Sequence, residues 1–362
     1  INLLELYNGP TLAFKDIAMQ VIGNLYEHLK VAKEKSLNIL VATSGDTGSA
    51  AIAALNNRKN INLFVLHPHN KISSVQRKIM TTIGGSNIYN IAIEGSFDDC
   101  QKIVKELFND DNFRLKINMS GVNSINWARI VCQIVYYFYA YFKLKKENIS
   151  FSVPTGNFGD IYAGYIAKKM GLSINKLIVA TNENDILQRV INTGEYKPEK
   201  VKPSISPSMD IQVASNFERL LFYVVDQDDQ KVSLLMDNLS KKGFFRLSQS
   251  EVKDIKKDFE AVKINDETTQ LIIRNINDEF KFIIDPHTAT GIGAARKVNG
   301  LENIVVLGTA HPFKFSDTVQ KATGKNLVAP SHLIMDIDKK EKFDIIKNSN
   351  SKVKDYILRK VQ

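Results

Sequence analysis

The sequence has 362 residues, of which 44% are hydrophobic and 24% are charged, and it contains 2 cysteines. These proportions are typical of a globular protein and exclude a disordered, collagen-like or disulfide-stapled chain. The length predicts about two domains, and no apolar run reaches the ~18 residues that a membrane-spanning helix needs.

The charge balance is positive, with 48 Lys and Arg against 39 Asp and Glu, a net charge of +9. The basic residues are scattered among acidic ones, as in residues 253–258, and form no basic stripe interleaved with aromatic residues. A nucleic-acid partner is therefore the weakest reading of this charge. Cys100 and Cys132 have no metal-ligand spacing, so we expect free thiols and a cytoplasmic, reducing location.

The first third of the chain alternates helices with short apolar strands. The pattern predicts, in chain order, a helix at 11–35, a strand at 38–42, a helix at 49–55, a strand at 62–66, a helix at 73–82, a strand at 87–93 and a helix at 97–109. Such an alternation is typical of a parallel α/β sheet.

The alternation resumes after a long helix and is then interrupted. We predict a helix at 124–144, a strand at 149–153, a loop at 154–160, a helix at 161–170 and a strand at 177–181, then a polar helical excursion at about 223–280, strands at 280–284 and 304–307, and a lysine-rich surface segment at 331–362. The last segment carries no predicted part of the fold.

Two loops follow predicted strands and precede predicted helices, where open α/β sheets bind ligands. Residues 154–160 (PTGNFGD) contain glycines that let the backbone approach an anion at a helix N-terminus, and a phosphate is the natural ligand. Residues 43–48 (TSGDTG) offer hydroxyl and amide groups for a carboxylate or phosphate. Taken alone, the loop at 154–160 is better explained as a glycine-eased turn from strand to helix. The loop at 43–48 has a corresponding explanation, a polar turn whose hydroxyls cap the following helix.

Lys15 lies beside the apolar face of its predicted helix, with Ala18 and Ile22 three and seven residues further on. A lysine sheltered in this way can act as a nucleophile, although most such lysines extend to solvent.

The combination of these segments closely resembles the threonine synthase family, whose members use pyridoxal phosphate and have the tryptophan-synthase-β-like fold. The segments that carry the resemblance are GPTLAFKD (9–16), ATSGDTGSAA (42–51), PTGNFGDIYAGYIAKKMGL (154–172), ATNEND (180–185), SPSMDIQVASNFERLLF (206–222), DPHTATG (285–291) and LGTAHPFKFSDTV (307–319). They span nearly the whole chain in the family's order. Because family members carry a further N-terminal segment and this sequence begins with Ile1, we expect it to be part of a longer protein.

The resemblance implies a role for individual residues toward pyridoxal phosphate. Lys15 corresponds to the lysine that forms the internal aldimine with the cofactor and then shuttles protons. Thr309 corresponds to the hydroxyl beside the pyridine nitrogen. The loop that cradles the cofactor phosphate corresponds to Gly156, Asn157, Phe158, Gly159 and Asp160.

The resemblance also implies how the substrate, O-phospho-L-homoserine, is bound. The loop that grips its carboxylate and flanks the cofactor ring corresponds to Ser44, Gly45, Asp46 and Thr47. The substrate phosphate needs a second anion site, for which the candidates are Asn126, Arg129 and Lys314, since arginine holds phosphate through two hydrogen bonds. No residue set predicts a metal site.

The architecture implied is that of fold type II, with two open parallel-sheet α/β domains. We expect a smaller, mobile domain at 36–144 and a larger, cofactor-binding domain made of 1–35 and 145–330. The sequence makes no prediction of the oligomeric state.

The reaction implied is that of a carbon–oxygen lyase. Removal of the Cα and Cβ protons expels the γ-phosphate, and water adds at Cβ to give L-threonine. Two alternatives stay open: a phospholyase on the same scaffold that ends at 2-oxobutyrate, and a non-catalytic homologue that binds the cofactor.

Overall fold

The structure is a computed structural model that describes residues 1–28 and 36–361. Its strands are β1 Asn2–Glu5, β2 Leu37–Ala42, β3 Ile61–Pro68, β4 Ile88–Glu94, β5 Met119–Gly121, β6 Ile149–Pro154, β7 Ile174–Thr181, β8 Glu195–Tyr196, β9 Phe245–Arg246, β10 Phe259–Lys263, β11 Ile304–Gly308 and β12 Asp344–Lys347. Within the described residues, no helix combines the length and apolar character that crossing a membrane requires.

The helices connect these strands. They are α1 Lys15–His28, α2 Asp46–Leu55, α3 Ser74–Thr81, α4 Phe97–Asn109, α5 Asp111–Lys116, α6 Trp127–Leu144, α7 Gly159–Lys169, α8 Ile186–Thr193, α9 Phe217–Val224, α10 Asp229–Lys242, α11 Gln249–Asp258, α12 Asp266–Phe280, α13 Pro286–Lys297, α14 Ser316–Thr323, α15 Ser331–Ile337 and α16 Asn350–Val361. Short 3₁₀ turns lie at Pro207–Met209 and Pro312–Phe315.

The chain forms two compact units. The larger unit contains Ile1–Leu6 and Ile130–Leu327, and the smaller unit contains Tyr7–Arg129 and Val328–Gln362. In the larger unit, a parallel sheet has the strand order β1-β11-β6-β7-β10, and β8 pairs with β9 in a small antiparallel sheet. In the smaller unit, a second parallel sheet has the order β12-β4-β3-β2-β5.

The central strands are mostly apolar because helices cover both faces of a parallel sheet. Every residue of β2 and of β6 is buried. The carboxyl ends of parallel strands lie at one edge of their sheet, so the loops after β6 and β11 meet at one edge of the larger sheet. The loop after β2 lies at the corresponding edge of the smaller sheet. The prediction of two open parallel-sheet α/β domains is confirmed.

Helix α1 belongs to the smaller unit, whereas the sequence grouped residues 1–35 with the larger domain. Met19 and Ile22 of α1 pack in one core cluster with Ala51 and Leu55 of α2, and this burial holds the helix there. Residues 29–35, included in the predicted helix, lie outside the described residues.

The sequence predicts a surface segment at 331–362. In the structure, this segment is instead part of the smaller unit and contributes to its sheet and core. Strand β12 pairs in parallel with β4, and Val353 and Ile357 of α16 are fully buried against Leu40 and Phe64. This segment thus completes the sheet that carries the loop after β2.

The predicted strand at 280–284 is wrong. Phe280 ends helix α12, and no strand follows it before α13. The sheet strand is instead β10, Phe259–Lys263, which pairs with β7 inside the stretch predicted as a helical excursion. Because β10 is an edge strand with charged residues at two of its five positions, its pattern resembles that of the polar helices around it.

Candidate active site

Lys15 is the first residue of α1, and a buried carboxylate fixes the loop that leads to it. Oδ2 of Asp16 accepts hydrogen bonds from the backbone N of Thr11 at 2.9 Å and of Ala13 at 3.4 Å. Asp16 is buried, and an acidic side chain in the first turn is favourable at the positive end of a helix dipole. The backbone at Lys15 therefore has a defined geometry.

The side chain of Lys15 is mostly buried and is paired with Asp46. Its Nζ lies 3.1 Å from Oδ2 of Asp46, the first residue of α2, and 4.6 Å from the centre of the Phe14 ring. The side chains of Lys15 and Asp46 are 12% and 4% exposed, so this ion pair is largely shielded from water. The structure thus brings together two residues that the sequence had assigned to different ligands.

The loop before Asp46 is organised by Thr43 at the end of β2. Oγ1 of Thr43 accepts hydrogen bonds from the backbone N of Gly45 and of Gly48, both at 2.9 Å. Gly45 has φ of +136°, a conformation that side chains disfavour. Ser44 and Thr47 are half-buried in the same loop. Thr43 and Gly45 thus hold the predicted carboxylate-binding segment in one shape.

Asn126 and Arg129 lie where α6 begins, and their surroundings differ. Asn126 Nδ2 donates to the carbonyl of Gly121 at 2.9 Å and to the Tyr26 hydroxyl at 3.3 Å, while its Oδ1 accepts from the backbone N of Ala128. Its amide is therefore occupied within the loop. Arg129 is buried and donates from Nη1 to the carbonyl of Val122 at 3.2 Å.

In the larger unit, the predicted phosphate loop joins β6 to α7. Phe158 is the N-cap of α7 and has φ of +64°, a strained value for an aromatic residue, which the packing of its buried ring against Phe217 and Phe259 offsets. Its side chain makes no capping hydrogen bond. The Phe158 side chain therefore satisfies none of the first amide groups of the helix.

Gly156 and Asn157 are held against the segment that follows β8. A Cβ atom at Gly156 would meet the carbonyl oxygen of Ser208 at 2.9 Å and Cα of Met209 at 3.1 Å, so only glycine fits there. The carbonyl of Asn157 accepts from the backbone N of Asn216 at 3.1 Å and from its Nδ2 at 3.2 Å. The loop backbone is therefore fixed by close packing and by Asn216.

Asp160 lies in the first turn of α7, and two tyrosines of α6 bind it. The hydroxyl of Tyr136 donates to Oδ1 of Asp160, and that of Tyr137 donates to the same atom at 3.2 Å and to the Asp160 carbonyl at 2.9 Å. Burial and the Asp160 charge raise the pKa of Tyr137 well above its usual value, so it remains a donor. The carboxylate is thereby stabilised beside the predicted phosphate position.

Thr309 directly follows β11 and is buried. Two residues later, His311 Nδ1 accepts from the backbone N of Phe313 at 3.1 Å and caps the turn Pro312–Phe315. Lys314 lies within this turn and is completely buried, which for a lysine indicates a specific electrostatic environment. Thr309 and Lys314 thus follow the same strand of the larger sheet.

The residues fit pyridoxal phosphate. The uncapped start of α7, with Gly156 and its close backbone contacts, is suited to a phosphate group. A mostly buried lysine is suited to a covalent link with an aldehyde, because burial favours its neutral amine. Across residues 1–28 and 36–361, no three His, Cys, Asp or Glu side chains are grouped so as to hold a metal ion.

Several residues that shape these segments of the two units were not predicted from the sequence. They are Asp16, Thr43, Gln76, Tyr136, Tyr137 and Asn216. Gln76 and the tyrosines lie on helices far along the chain from their partners, and no local pattern links them. Asp16, Thr43 and Asn216 lie within the family segments, and Thr43 also opens the predicted ligand-binding loop at 43–48, so a sequence signal existed for these three.

Comparison with known proteins agrees with this geometry. The family described as pyridoxal-phosphate dependent enzyme matches residues 3–251, and the C-terminal part of threonine synthase matches residues 288–357. The threonine synthase of Pseudomonas aeruginosa is 46% identical over 360 residues, covering 98% of this chain and 77% of that protein. That of Saccharomyces cerevisiae is 42% identical, covering 89% of this chain and 69% of that protein.

Solved structures give the same result. The structure of threonine synthase with bound pyridoxal phosphate from Brucella melitensis has a TM-score of 0.94 and 44% identity, covering 99% of this chain and 78% of that one. A threonine deaminase from Solanum lycopersicum, at 15% identity and a TM-score of 0.63, shares the fold. The matches define a pyridoxal-phosphate-dependent enzyme of fold type II, as the motifs predicted. Within that class, the chain belongs to the threonine synthase family.

Proposed function

We propose that the chain converts O-phospho-L-homoserine and water into L-threonine and phosphate, with pyridoxal phosphate as cofactor. The observation that carries the proposal is the pairing of Lys15 with the buried carboxylate of Asp46 in a member of the threonine synthase family. The enzyme is then a lyase that breaks a carbon–oxygen bond of a phosphate ester.

In this proposal, Lys15 binds the cofactor covalently, and the loop of residues 156–160 binds its phosphate through the amides at the start of α7. Thr309 provides a neutral hydroxyl for the pyridine nitrogen. When bound, pyridoxal phosphate supplies the capacity to delocalise the electron pair left on the substrate after Cα loses a proton.

Lys15 then moves protons as a general base and acid. When its neutral amine takes the proton from Cα, it becomes an ammonium group, and Asp46 lies 3.1 Å away to stabilise that charge. Because little water reaches the ion pair, the attraction between the two charges is stronger than it would be in bulk water. The geometry of the ion pair therefore supports the charge that Lys15 acquires in the proton transfer.

The substrate needs two anion sites. The loop of residues 44–47, held by Thr43, is proposed to bind its carboxylate. Arg129 is proposed to bind its phosphate, because a guanidinium group holds a phosphate through paired hydrogen bonds. Lys314 is the second candidate for that role, while the bonded amide of Asn126 makes it the weakest of the three.

The test is to load the protein with pyridoxal phosphate, add O-phospho-L-homoserine, and follow phosphate and amino-acid products together by mass spectrometry. Threonine formed in equal amount with phosphate supports the proposal. Phosphate with 2-oxobutyrate would instead indicate a phospholyase, and no phosphate would indicate a homologue that only binds the cofactor.

We further propose that the enzyme works in the cytoplasm. Both cysteines are free thiols, and burial raises the pKa of Cys100 to about 12, which makes it unreactive. Localisation of the tagged full-length protein by fluorescence microscopy would test this.

A further inference from the structure

Gln76 of α3 lies behind the carboxylate that pairs with Lys15. Its Nε2 donates a hydrogen bond to Oδ1 of Asp46 at 3.0 Å, while Oδ2 of Asp46 faces Lys15 Nζ. The two oxygens of one carboxylate therefore have different partners, an amide on one side and an ammonium group on the other. Gln76 and Asp46 are only 1% and 3% exposed.

The orientation of the Gln76 amide is fixed by Ser73, the N-cap of α3. The Ser73 hydroxyl accepts from the backbone N of Gln76 at 3.1 Å and donates to its Oε1, also at 3.1 Å. Because Oε1 already has a donor, Nε2 is the atom that faces Asp46. The amide also packs closely against Gly45, where a Cβ atom would lie 2.8 Å from Nε2.

We propose that Gln76 is a positioning residue for Lys15, which acts by holding the Asp46 carboxylate ionised and aimed at the Lys15 amine. The proposal rests on the role of Lys15 in the proposed function. Gln76 itself touches neither cofactor nor substrate in this account.

The physical reason is that a buried carboxylate is costly unless its oxygens have donors. Without the amide, Asp46 would take up a proton more readily or turn away from Lys15. Either change weakens the support for the ammonium form, so Lys15 would lose its proton at a lower pH. The other charged residues near Gln76 on α3 are Arg77, which is paired with Glu341, and Lys78.

The experiment compares wild type with Gln76→Leu and Gln76→Glu. In the cofactor-free protein, Lys15 is labelled with an acylating reagent over a range of pH, and the modified fraction is read by peptide mass spectrometry. In the loaded enzyme, kcat and KM for threonine formation are measured. Asn90→Leu is the matched control, since Asn90 is a buried amide of the same unit that donates to a backbone carbonyl, that of Met80.

We expect Gln76→Leu to move the midpoint of Lys15 labelling to lower pH and to reduce kcat by about tenfold or more, with little change in KM. Gln76→Glu should not lower that midpoint, because its carboxyl group either keeps a proton and still donates to Asp46 or ionises and adds a negative charge that favours the ammonium form of Lys15. Asn90→Leu should leave both measurements unchanged.

A Gln76→Leu profile that coincides with those of wild type and Asn90→Leu would overturn the proposal, as would a Gln76→Glu variant whose labelling midpoint falls as far as that of Gln76→Leu. The labelling is read without substrate, so it remains informative even if the products are not threonine and phosphate. If wild-type enzyme lacks activity while the labelling midpoint shifts as expected, the proposed function fails and the positioning of Lys15 stands.

Discussion

The hydroxyl of Tyr136 donates a hydrogen bond to Oδ1 of Asp160, so helix α6 holds the first turn of helix α7. The amides of that turn are the ones proposed to bind the cofactor phosphate. A carboxylate at this place would repel the phosphate if its charge were not stabilised by donors, and Tyr137 supplies a second one.

We therefore predict that Tyr136→Phe weakens the binding of pyridoxal phosphate. Because Tyr137 still donates to Asp160, we expect about a tenfold rise in the dissociation constant, the size of a hydrogen bond to a charged group. Tyr139→Phe is the control, since Tyr139 lies on the same helix with its side chain exposed. Titration of each cofactor-free variant with pyridoxal phosphate measures its dissociation constant. Equal affinities for the two variants would contradict the role of Tyr136.

We predict that Lys15→Ala abolishes threonine formation and leaves the fold intact. The lysine is the proposed base and cofactor link, whereas Asp46 keeps its hydrogen bond from Gln76 in the variant. Product analysis and circular dichroism measure the two effects, with Lys102→Ala on the exposed face of α4 as control. Threonine production at the wild-type rate would remove Lys15 from the mechanism.

Arg129→Ala should weaken substrate binding far more than cofactor binding. The guanidinium group is proposed to hold the substrate phosphate, so we expect KM to rise by at least about tenfold, as for a lost charged hydrogen bond. Because Arg129 is buried, Arg129→Lys is included as a change that disturbs the packing less. Arg58→Ala is the control, since Arg58 forms a partly exposed ion pair with Glu27. An equal loss of cofactor and substrate affinity would place Arg129 elsewhere.

His67 at the end of β3 should make the protein sensitive to acid. Burial lowers the pKa of His67 from 6.5 to about 4. Between pH 6.5 and about 4, His67 therefore binds a proton in the unfolded chain but stays neutral in the folded protein. The stabilisation from the neutral imidazole is therefore complete above pH 6.5, and it is lost as the pH falls toward about 4.

The corresponding prediction is that His67→Leu removes much of this pH dependence. The shift of His67 corresponds to about 3 kcal/mol, so the free energy of unfolding of wild type should fall by up to that amount across the window. Denaturant unfolding at pH 7 and at pH 4 measures it, with His69→Leu, two residues further on and half-buried, as control. An identical acid dependence in wild type and His67→Leu would exclude His67 as the cause.

Local patterns predicted most of the central strands because buried parallel strands are rich in apolar residues, as in β2 and β3. They missed β10, since an edge strand with charged residues has no such run. They also missed the packing of α1 on α2 and the pairing of β12 with β4, because contacts between distant segments leave no local signal.

The candidate site divides in the same way. Motifs identified Lys15, the loop of residues 43–48 and the loop of residues 154–160, because each lies within one short, contiguous segment of the sequence. The pairing of Asp46 with Lys15, and the support from Gln76 and Tyr136, join residues that are far apart in the chain. Such contacts follow from the tertiary fold alone.

The most direct test of the central claim is to reduce the protein loaded with pyridoxal phosphate with borohydride and to map the modified peptide by mass spectrometry. The account predicts one modified residue, Lys15, and protection of that residue from acylation once the cofactor is attached. Modification at a different lysine, or no covalent attachment at all, would contradict it.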